Sequence, residues 1–178
     1  RRQRQMCIRD RVDIASPIMF RSGGTYGEDP QLTLDIATAY INGMQSTYDE
    51  NGEDLGWGDE SVYCFTKHFS GDGSTEGGRD DHANGGRYAV FPGNNLEAHL
   101  ITFFDGAFNL PGKTGTTGIM TQYGIDVDAD GNPYGGEWAG AYNTYLNGML
   151  DEAGFEGLKI TDWGVYQFAG VWGAEDLE

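Results

Sequence analysis

The sequence predicts an α/β fold, a partial (β/α)8 barrel of the TIM type that is about half complete and truncated at both ends. Apolar, β-branched runs alternate with segments of helical spacing in the order βαβαβαβ, which indicates parallel strands joined by helical crossovers. Residues 12–178 supply four such strands, whereas a closed eight-stranded barrel takes about 250 residues. The chain also ends at Glu178 without a helix cap.

The first half of this pattern contains two strands and one helix. A short apolar-rich run predicts a strand at Val12–Ser16. Asp29-Pro30 is typical of a helix N-cap followed by the first helical residue, and the helix is predicted to run to about Tyr48. Its helical spacing is carried by Leu32, Ile36, Ala39, Tyr40 and Gly43. The β-branched and aromatic run Ser61–Thr66 predicts the second strand.

The second half repeats the alternation of helix and strand. Its predicted elements are a helix capped by Asn94 or Asn95 and reaching about Phe108, a strand at Gly118–Tyr123, a helix at Glu137–Ala153 ended by Gly154, and a strand at Leu158–Thr161. The Gly- and acid-rich stretches 51–59, 69–87 and 124–136 are predicted loops.

Residues 1–11 differ from the rest of the chain. The peptide RRQRQMCIRDR has no apolar period and carries five of the eleven basic residues. It is the translation expected from the adapter of a transposase-based sequencing library. We therefore interpret residues 1–11 as an adapter artefact and residues 12–178 as the protein domain.

Charge and hydropathy narrow the choice of partner. The chain has 28 acidic against 11 basic residues and a net charge of −17, which argues against nucleic acid because phosphate binding needs clustered Lys and Arg. No stretch is apolar over the roughly 18 residues that a membrane span requires. No partner of either class is expected.

Polar and aromatic residues follow the predicted strands directly. Lys67-His68 follows the second strand, Tyr123 ends the third and Asp162-Trp163 follows the fourth. Ligands of parallel α/β sheets bind at that carboxyl edge. The residue types suit a sugar: Trp163 offers a flat apolar face, Lys67, His68 and Arg21 can donate to ring hydroxyls, and Asp162 can attack an anomeric carbon.

Several motifs in this order resemble the N-terminal barrel of glycoside hydrolase family 3, the β-glucosidase family. They are Arg21 with Gly27-Glu28-Asp29-Pro30, Lys67-His68-Phe69 with Gly71-Asp72-Gly73, Met120 with Tyr123, and Ile160-Thr161-Asp162-Trp163. The resemblance extends from residue 12 to about residue 166. It implies that Asp162 is the nucleophile of a retaining glycosidase. It also implies that Lys67, His68 and Arg21 hold sugar hydroxyls, that Asp81 is the acidic loop residue, and that Met120 and Tyr123 line the subsite.

The resemblance further implies an exo-acting β-glycosidase that needs no cofactor and takes an oligosaccharide or glycoside as substrate. Its acid/base is expected on a C-terminal α/β domain that follows this segment. An alternative acid/base lies within the chain, because Asp80-x-His82 resembles the Asp-His dyad of the β-N-acetylglucosaminidase branch, and a His oriented by a carboxylate is a competent general acid/base.

Two non-enzyme alternatives stay open. One is a sugar-binding member that lacks the acid/base. The other is a calcium-binding module, because one loop fits the spacing of an EF-hand, with a Gly at its turn and a Glu at its twelfth position. The ligands in that pattern would be Asp126, Asp128, Asp130 and Glu137. The same loop also resembles a family active-site loop, and no metal is expected.

Overall fold

The computed structural model of the chain describes residues 6–82 and 84–162. The strands in these residues are β1 (Met6–Arg11), β2 (Thr47–Tyr48), β3 (Asp54–Gly56), β4 (Tyr63–Phe69), β5 (Tyr88–Val90), β6 (Gly118–Thr121), β7 (Ile125–Val127) and β8 (Leu158–Ile160). The helices are α1 (Pro30–Gln45), α2 (Leu96–Ile101), which continues as a π-helix over Thr102–Ala107, and α3 (Thr144–Glu152).

Four strands form the main sheet, in the spatial order β1-β4-β6-β8, and every neighbouring pair is parallel. Helices connect β4 to β6 and β6 to β8, so the predicted α/β class with a parallel sheet is confirmed. The strands of the described residues form open sheets and no closed barrel. No helix within 6–82 and 84–162 has the length and apolarity to cross a membrane.

The predicted second, third and fourth strands are confirmed with small shifts of their ends, but the first is displaced. It lies at Met6–Arg11, inside the segment interpreted as an adapter, and not at Val12–Ser16. The chain leaves the sheet after Arg11, since the backbone amide of Ala15 donates to the carbonyl of Gly27 (2.8 Å) and not to a neighbouring strand. The assignment of residues 1–11 itself stays a prediction.

Helix α1 begins as predicted, with the Asp29 carboxylate accepting from the amide of Leu32 at 2.7 Å. It ends at Gln45, three residues early. Its buried stripe is one position away from the apolar spacing and consists of Thr33, Ala37, Ile41 and Gln45, whereas Leu32, Ile36 and Tyr40 are exposed. The helical spacing therefore predicted the helix but not its buried face.

The third predicted helix begins seven residues later than expected. Asn143 caps α3, because its side-chain oxygen accepts from the Leu146 amide at 3.0 Å. Its side-chain nitrogen donates to the Tyr134 carbonyl at 2.6 Å. These two bonds fix the start of the helix and keep residues 137–143 in turns.

Aromatic side chains fill the core between the sheet and the helices. Phe69, at the end of β4, packs edge-on against Phe103 of the π-helix, with ring centroids 5.2 Å apart. Ile41 of α1 and Ile119 of β6 are fully buried in the same cluster. This packing fixes β4 and β6, whose carboxyl ends carry the candidate site.

Two smaller β-structures were not predicted. β2 and β3 form an antiparallel hairpin, and β5 and β7 form a parallel pair. β7 lies inside the stretch 124–136 that was predicted as a loop. Its three residues are all buried.

Candidate active site

Three strands of the main sheet bring polar side chains to one edge. Lys67 of β4 lies opposite Met120 of β6, and Met120 lies opposite Ile160 of β8. His68 is the next-to-last residue of β4, and Asp162 lies two residues beyond the end of β8. This is the carboxyl edge at which parallel sheets bind ligands, and it is where the sequence predicts the site.

His68 is the centre of a buried charge cluster. Its ring Nδ1 lies 2.6 Å from Asp72 Oδ2 and 3.4 Å from Asp13 Oδ2, while its Nε2 lies 3.4 Å from Asp162 Oδ2. Its backbone amide donates to Asp13 Oδ1 at 2.7 Å. The His68 ring is only about 5% exposed, whereas the Asp162 side chain is 18% exposed. Asp162 is thus the member of this cluster that a substrate can reach.

Two glycines place Asp72 beside His68. Gly71 has φ of +139°, a conformation that residues with a side chain rarely adopt. At Gly73 a Cβ would lie 1.8 Å from the carbonyl oxygen of Ile14, so only glycine permits this approach of the two chain segments. The approach holds Asp72 and Asp13 on the same side of the His68 ring.

The cluster shifts the pKa values of two side chains in opposite directions. Burial lowers the pKa of His68, but the charge of Asp72 and the hydrogen bonds to Asp13, Asp162 and Asp72 outweigh burial and raise it to about 11. Burial raises the pKa of Asp162, but the hydrogen bond and charge of His68, with the charge of Lys67, bring it below its ordinary value. Asp162 is therefore ionised at neutral pH, as a nucleophile must be.

A second group of predicted residues lies beside the first. His82 Nδ1 is 2.6 Å from Asp80 Oδ1 and 3.0 Å from Asp81 Oδ1. The buried carboxylate of Asp81 accepts from the Tyr123 amide at 3.2 Å, and the His82 and Tyr123 rings are 4.3 Å apart. Arg21 lies 3.9 Å from Asp80. The charge of His82 also lowers the pKa of Asp162.

The bond to Asp81 and the nearby charges of Asp81 and Asp80 raise the pKa of His82 to about 9, against a smaller effect of burial. The His82 ring is consequently protonated at neutral pH. Among the other predicted residues, Met120 and Tyr123 are buried at the same edge. Trp163 lies outside the described residues.

Residues of the predicted calcium loop are bonded to other protein groups. Asp126 is fully buried and accepts hydrogen bonds from Ser70 and Gln122. Its carboxylate therefore already has protein partners inside the fold. The half-buried Asp128 accepts from amides of its own turn, and Glu137 lies 3.7 Å from Arg87. The four carboxylates that match the sequence pattern are not brought together.

Two other clusters contain the residue types that ligate metals within 4.8 Å of one another among residues 6–82 and 84–162. They are Asp13, His68 and Asp72, and Asp80, Asp81 and His82. In each, the His nitrogen is already bonded to carboxylates. In the first, the Arg11 guanidinium lies 2.9 Å from Asp72 and provides the positive charge that a cation would bring.

Sequence reasoning missed the functional positions of Asp13 and Asp72. Asp72 was noted only as part of a motif, and Asp13 only as part of a strand. One signal was present for Asp13, because a carboxylate between Val12 and Ile14 in an apolar run needs a partner when it is buried. Arg11 was set aside with the segment 1–11, yet it contacts both Asp72 and His68.

Comparison with known families identifies a match over nearly the whole chain. The family model described as "Glycosyl hydrolase family 3 N terminal domain" matches residues 12–176. A protein named Probable beta-glucosidase C, from Aspergillus flavus, is 34% identical over 180 aligned positions, which cover 96% of this chain and 26% of that protein. The Periplasmic beta-glucosidase/beta-xylosidase of Dickeya chrysanthemi is 37% identical over 156 positions, covering 85% of this chain and 22% of that protein.

A solved structure agrees with these sequence matches. A β-glucosidase from Erythrobacter marinus has a TM-score of 0.67 to this chain at 28% identity, covering 96% of this chain and 21% of that one. The chain spans about a quarter of the length of the curated relatives that it matches.

Proposed function

Because the chain belongs to glycosyl hydrolase family 3, we propose that it is part of a retaining, exo-acting β-glycosidase that releases terminal sugars from the non-reducing ends of β-glycosides. The observation that carries this proposal is the partly exposed Asp162, whose pKa is lowered and whose carboxylate lies 3.4 Å from His68 at the carboxyl edge of the parallel sheet. The printed names of the relatives in Aspergillus and Dickeya also support a β-glycosidase.

In the proposed reaction, an Asp162 oxygen attacks the anomeric carbon while the bond to the leaving oxygen breaks. An acid protonates that oxygen, and a glycosyl ester of Asp162 forms. Water then attacks the anomeric carbon and gives up its proton to the same acid/base residue. The ester bond breaks, and Asp162 is regenerated as a carboxylate.

The other residues at this edge would bind the sugar. Lys67 and His68 would donate to its hydroxyls, with Arg21 assisting, and Asp81 would accept from one. Met120, Tyr123 and Trp163 would form the walls of the subsite. These roles follow from the family resemblance and from the gathering of the described members at the sheet edge.

We place the acid/base on a C-terminal α/β domain of the same protein, and we assign this segment to about half of a (β/α)8 barrel. The length of the relatives supports both assignments, since this chain covers about a quarter of each. A competing assignment puts the acid/base at His82 with Asp80, as in β-N-acetylglucosaminidases. The 2.6 Å contact between the two side chains favours it.

Replacing the nucleophile tests the proposal. In the full-length protein, Asp162→Ala should lower kcat for an aryl β-glycoside by a factor of order 10³ or more, because the covalent route is lost. Azide should restore turnover of activated substrates and yield the α-glycosyl azide, since it enters on the face that Asp162 leaves open. The matched control is Asp151→Ala, which removes an exposed aspartate paired with Lys159 and should leave kcat unchanged.

Two results would contradict this assignment. One is an Asp162→Ala enzyme within about tenfold of the parent. The other is a parent protein that binds β-glycosides without turning them over, which would favour the sugar-binding alternative.

A further inference from the structure

Both nitrogens of the His68 ring face carboxylates. Asp72 and Asp13 lie on the Nδ1 side, at 2.6 and 3.4 Å, and Asp162 lies 3.4 Å from Nε2. A neutral imidazole has one N–H and can donate to one side only. Only the doubly protonated ring can donate to the carboxylates on both sides.

The two buried carboxylates both face Nδ1 of the His68 ring, at 2.6 Å for Asp72 and 3.4 Å for Asp13, and Asp13 also binds the main chain of His68. Asp13 Oδ1 accepts from its backbone amide at 2.7 Å and so fixes the main chain. Asp72 makes the shorter contact to the ring and is itself buried on the loop that Gly71 and Gly73 shape. Asp72 is therefore the group that sets the orientation and charge of the imidazole.

Arg11 also lies at this cluster, and the charge of Asp81 acts on Asp72 as well. One of the Arg11 guanidinium nitrogens lies 3.3 Å from His68 Nδ1 and 2.9 Å from Asp72 Oδ2. Arg11 and the His68 ring thus share one acceptor oxygen, Asp72 Oδ2. On the other side of the ring, the charges of Lys67 and His82 act on Asp162 together with that of His68.

We propose that Asp72 is a positioning residue that keeps His68 as an imidazolium, with its Nε2–H directed at Asp162 and at the sugar hydroxyl that occupies this edge. The kinetic consequence of this inference rests on the proposed glycosidase function, whereas the protonation of the His68 ring does not. It makes His68 a permanent donor, so the hydroxyl that it contacts must accept. It also makes the ionisation of Asp162 depend on Asp72, which does not contact the substrate.

The pKa values agree with this arrangement. Burial and the charge of Asp13 raise the pKa of Asp72 to about 6 in spite of the opposing effect of His68, and the pKa of His68 is raised to about 11. The two side chains therefore carry opposite charges throughout the neutral pH range.

The kinetic test uses Asp72→Asn in the full-length enzyme. Loss of the Asp72 charge allows the ring to lose its proton, so Asp162 loses a neighbouring positive charge. The acidic limb of the kcat/KM profile, which reports ionisation of the free enzyme, should move upward by on the order of one pH unit. Asp72→Glu should restore the parental limb.

Two controls separate positioning from a structural role. In a His68→Gln background, Asp72→Asn should no longer move the acidic limb, because its effect passes through the ring. Asp126→Asn removes another buried aspartate that is bonded to Ser70 and Gln122 and is protonated below about pH 7, so it should leave the limb in place. A uniform loss of kcat/KM in Asp72→Asn without a shift of the limb would overturn the proposal.

A second readout does not depend on activity. In protein labelled with ¹⁵N-histidine, both His68 nitrogens should be protonated at pH 8, with the resonance assigned by its loss in His68→Gln. A neutral His68 ring in the parent protein would overturn the proposal. A protonated ring in a protein without activity on any β-glycoside would leave the role of Asp72 standing and refute the proposed function.

Discussion

Replacing Gln45 by leucine should destabilise the domain, because this buried side chain satisfies backbone groups at the start of two strands of the site. Gln45 Oε1 accepts from the amides of Cys64 and Thr117, each at 3.2 Å. Its Nε2 donates to the carbonyl of Gly115 at 2.8 Å. The Thr117 amide has a further acceptor in the Cys64 carbonyl, at 3.1 Å.

The leucine variant removes the hydrogen bonds that Gln45 makes to the Cys64 amide and to the Gly115 carbonyl. Each hydrogen bond contributes about 0.5–1.5 kcal/mol, so the free energy of unfolding should fall by roughly 1–3 kcal/mol. One kcal/mol shifts Tm by about 2–4 °C in a domain of 150–250 residues and by less in a larger one, so we expect Tm to fall by roughly 2 °C or more. Differential scanning calorimetry of the full-length protein measures the shift.

The matched control is Gln31→Leu in the first turn of the same helix, where the side chain is exposed and bonded to Asp35. Exposed substitutions usually change stability by less than about 0.5 kcal/mol, so its Tm should stay close to that of the parent. Equal Tm values for the two leucine variants would refute the reasoning.

Three further outcomes follow from the structure. His82→Ala should keep near-normal, azide-insensitive turnover, whereas a collapse with poor leaving groups that azide rescues would make Asp80 and His82 the acid/base dyad. Burial raises the pKa of Asp126 to about 7, so the folded state keeps a proton that the unfolded chain releases near pH 4, and stability should fall as pH rises from about 4 to 7. Asp126→Asn should flatten this dependence of Tm on pH, and the variant should have a higher Tm than the parent at pH 8. If Tm changes with pH in the same way in both proteins, Asp126 is not the titrating group. Residues 12–178 expressed alone should be insoluble or molten, because open strand edges template aggregation, and a cooperative, active monomer in analytical ultracentrifugation and enzyme assays would contradict the half-barrel interpretation.

The order of the main elements could be predicted because it depends on local signals. One predicted strand run ends at Lys67-His68 and another ends just before Asp162. Because ligands bind at the carboxyl edge of parallel strands, this was enough to predict that those side chains lie together. The Asp29-Pro30 start of α1 is equally local, since the cap bond spans three residues.

The partners of the charged residues could not be predicted in this way. His68 is bonded to Asp13, 55 positions earlier in the chain, and neither residue type nor spacing indicates such a contact. The sequence contains Gly71 and Gly73 as a motif, but it does not indicate that Gly73 packs against the backbone of Ile14 in the folded chain.

Two predicted patterns were overridden by burial. The apolar residues of α1 predicted a helix, yet its inward stripe ends at the polar Gln45, whose side chain hydrogen-bonds to the Gly115 carbonyl and the Cys64 amide. Asp126 fits a calcium loop by spacing, but Ser70 and Gln122 bind its carboxylate inside the fold. A motif records spacing only, whereas the burial of Gln45 and Asp126 depends on their tertiary contacts.

Trapping the glycosyl ester tests the central claim, that Asp162 is the nucleophile, most directly. A 2-deoxy-2-fluoro β-glycoside with a good leaving group should inactivate the full-length enzyme, because fluorine destabilises the oxocarbenium-like transition state and slows hydrolysis of the ester. Mass spectrometry of the peptide that contains Thr161-Asp162-Trp163 should then show the fluorosugar on Asp162 and on no other residue. A label on a different carboxylate, or inactivation without any label on this peptide, would contradict the account.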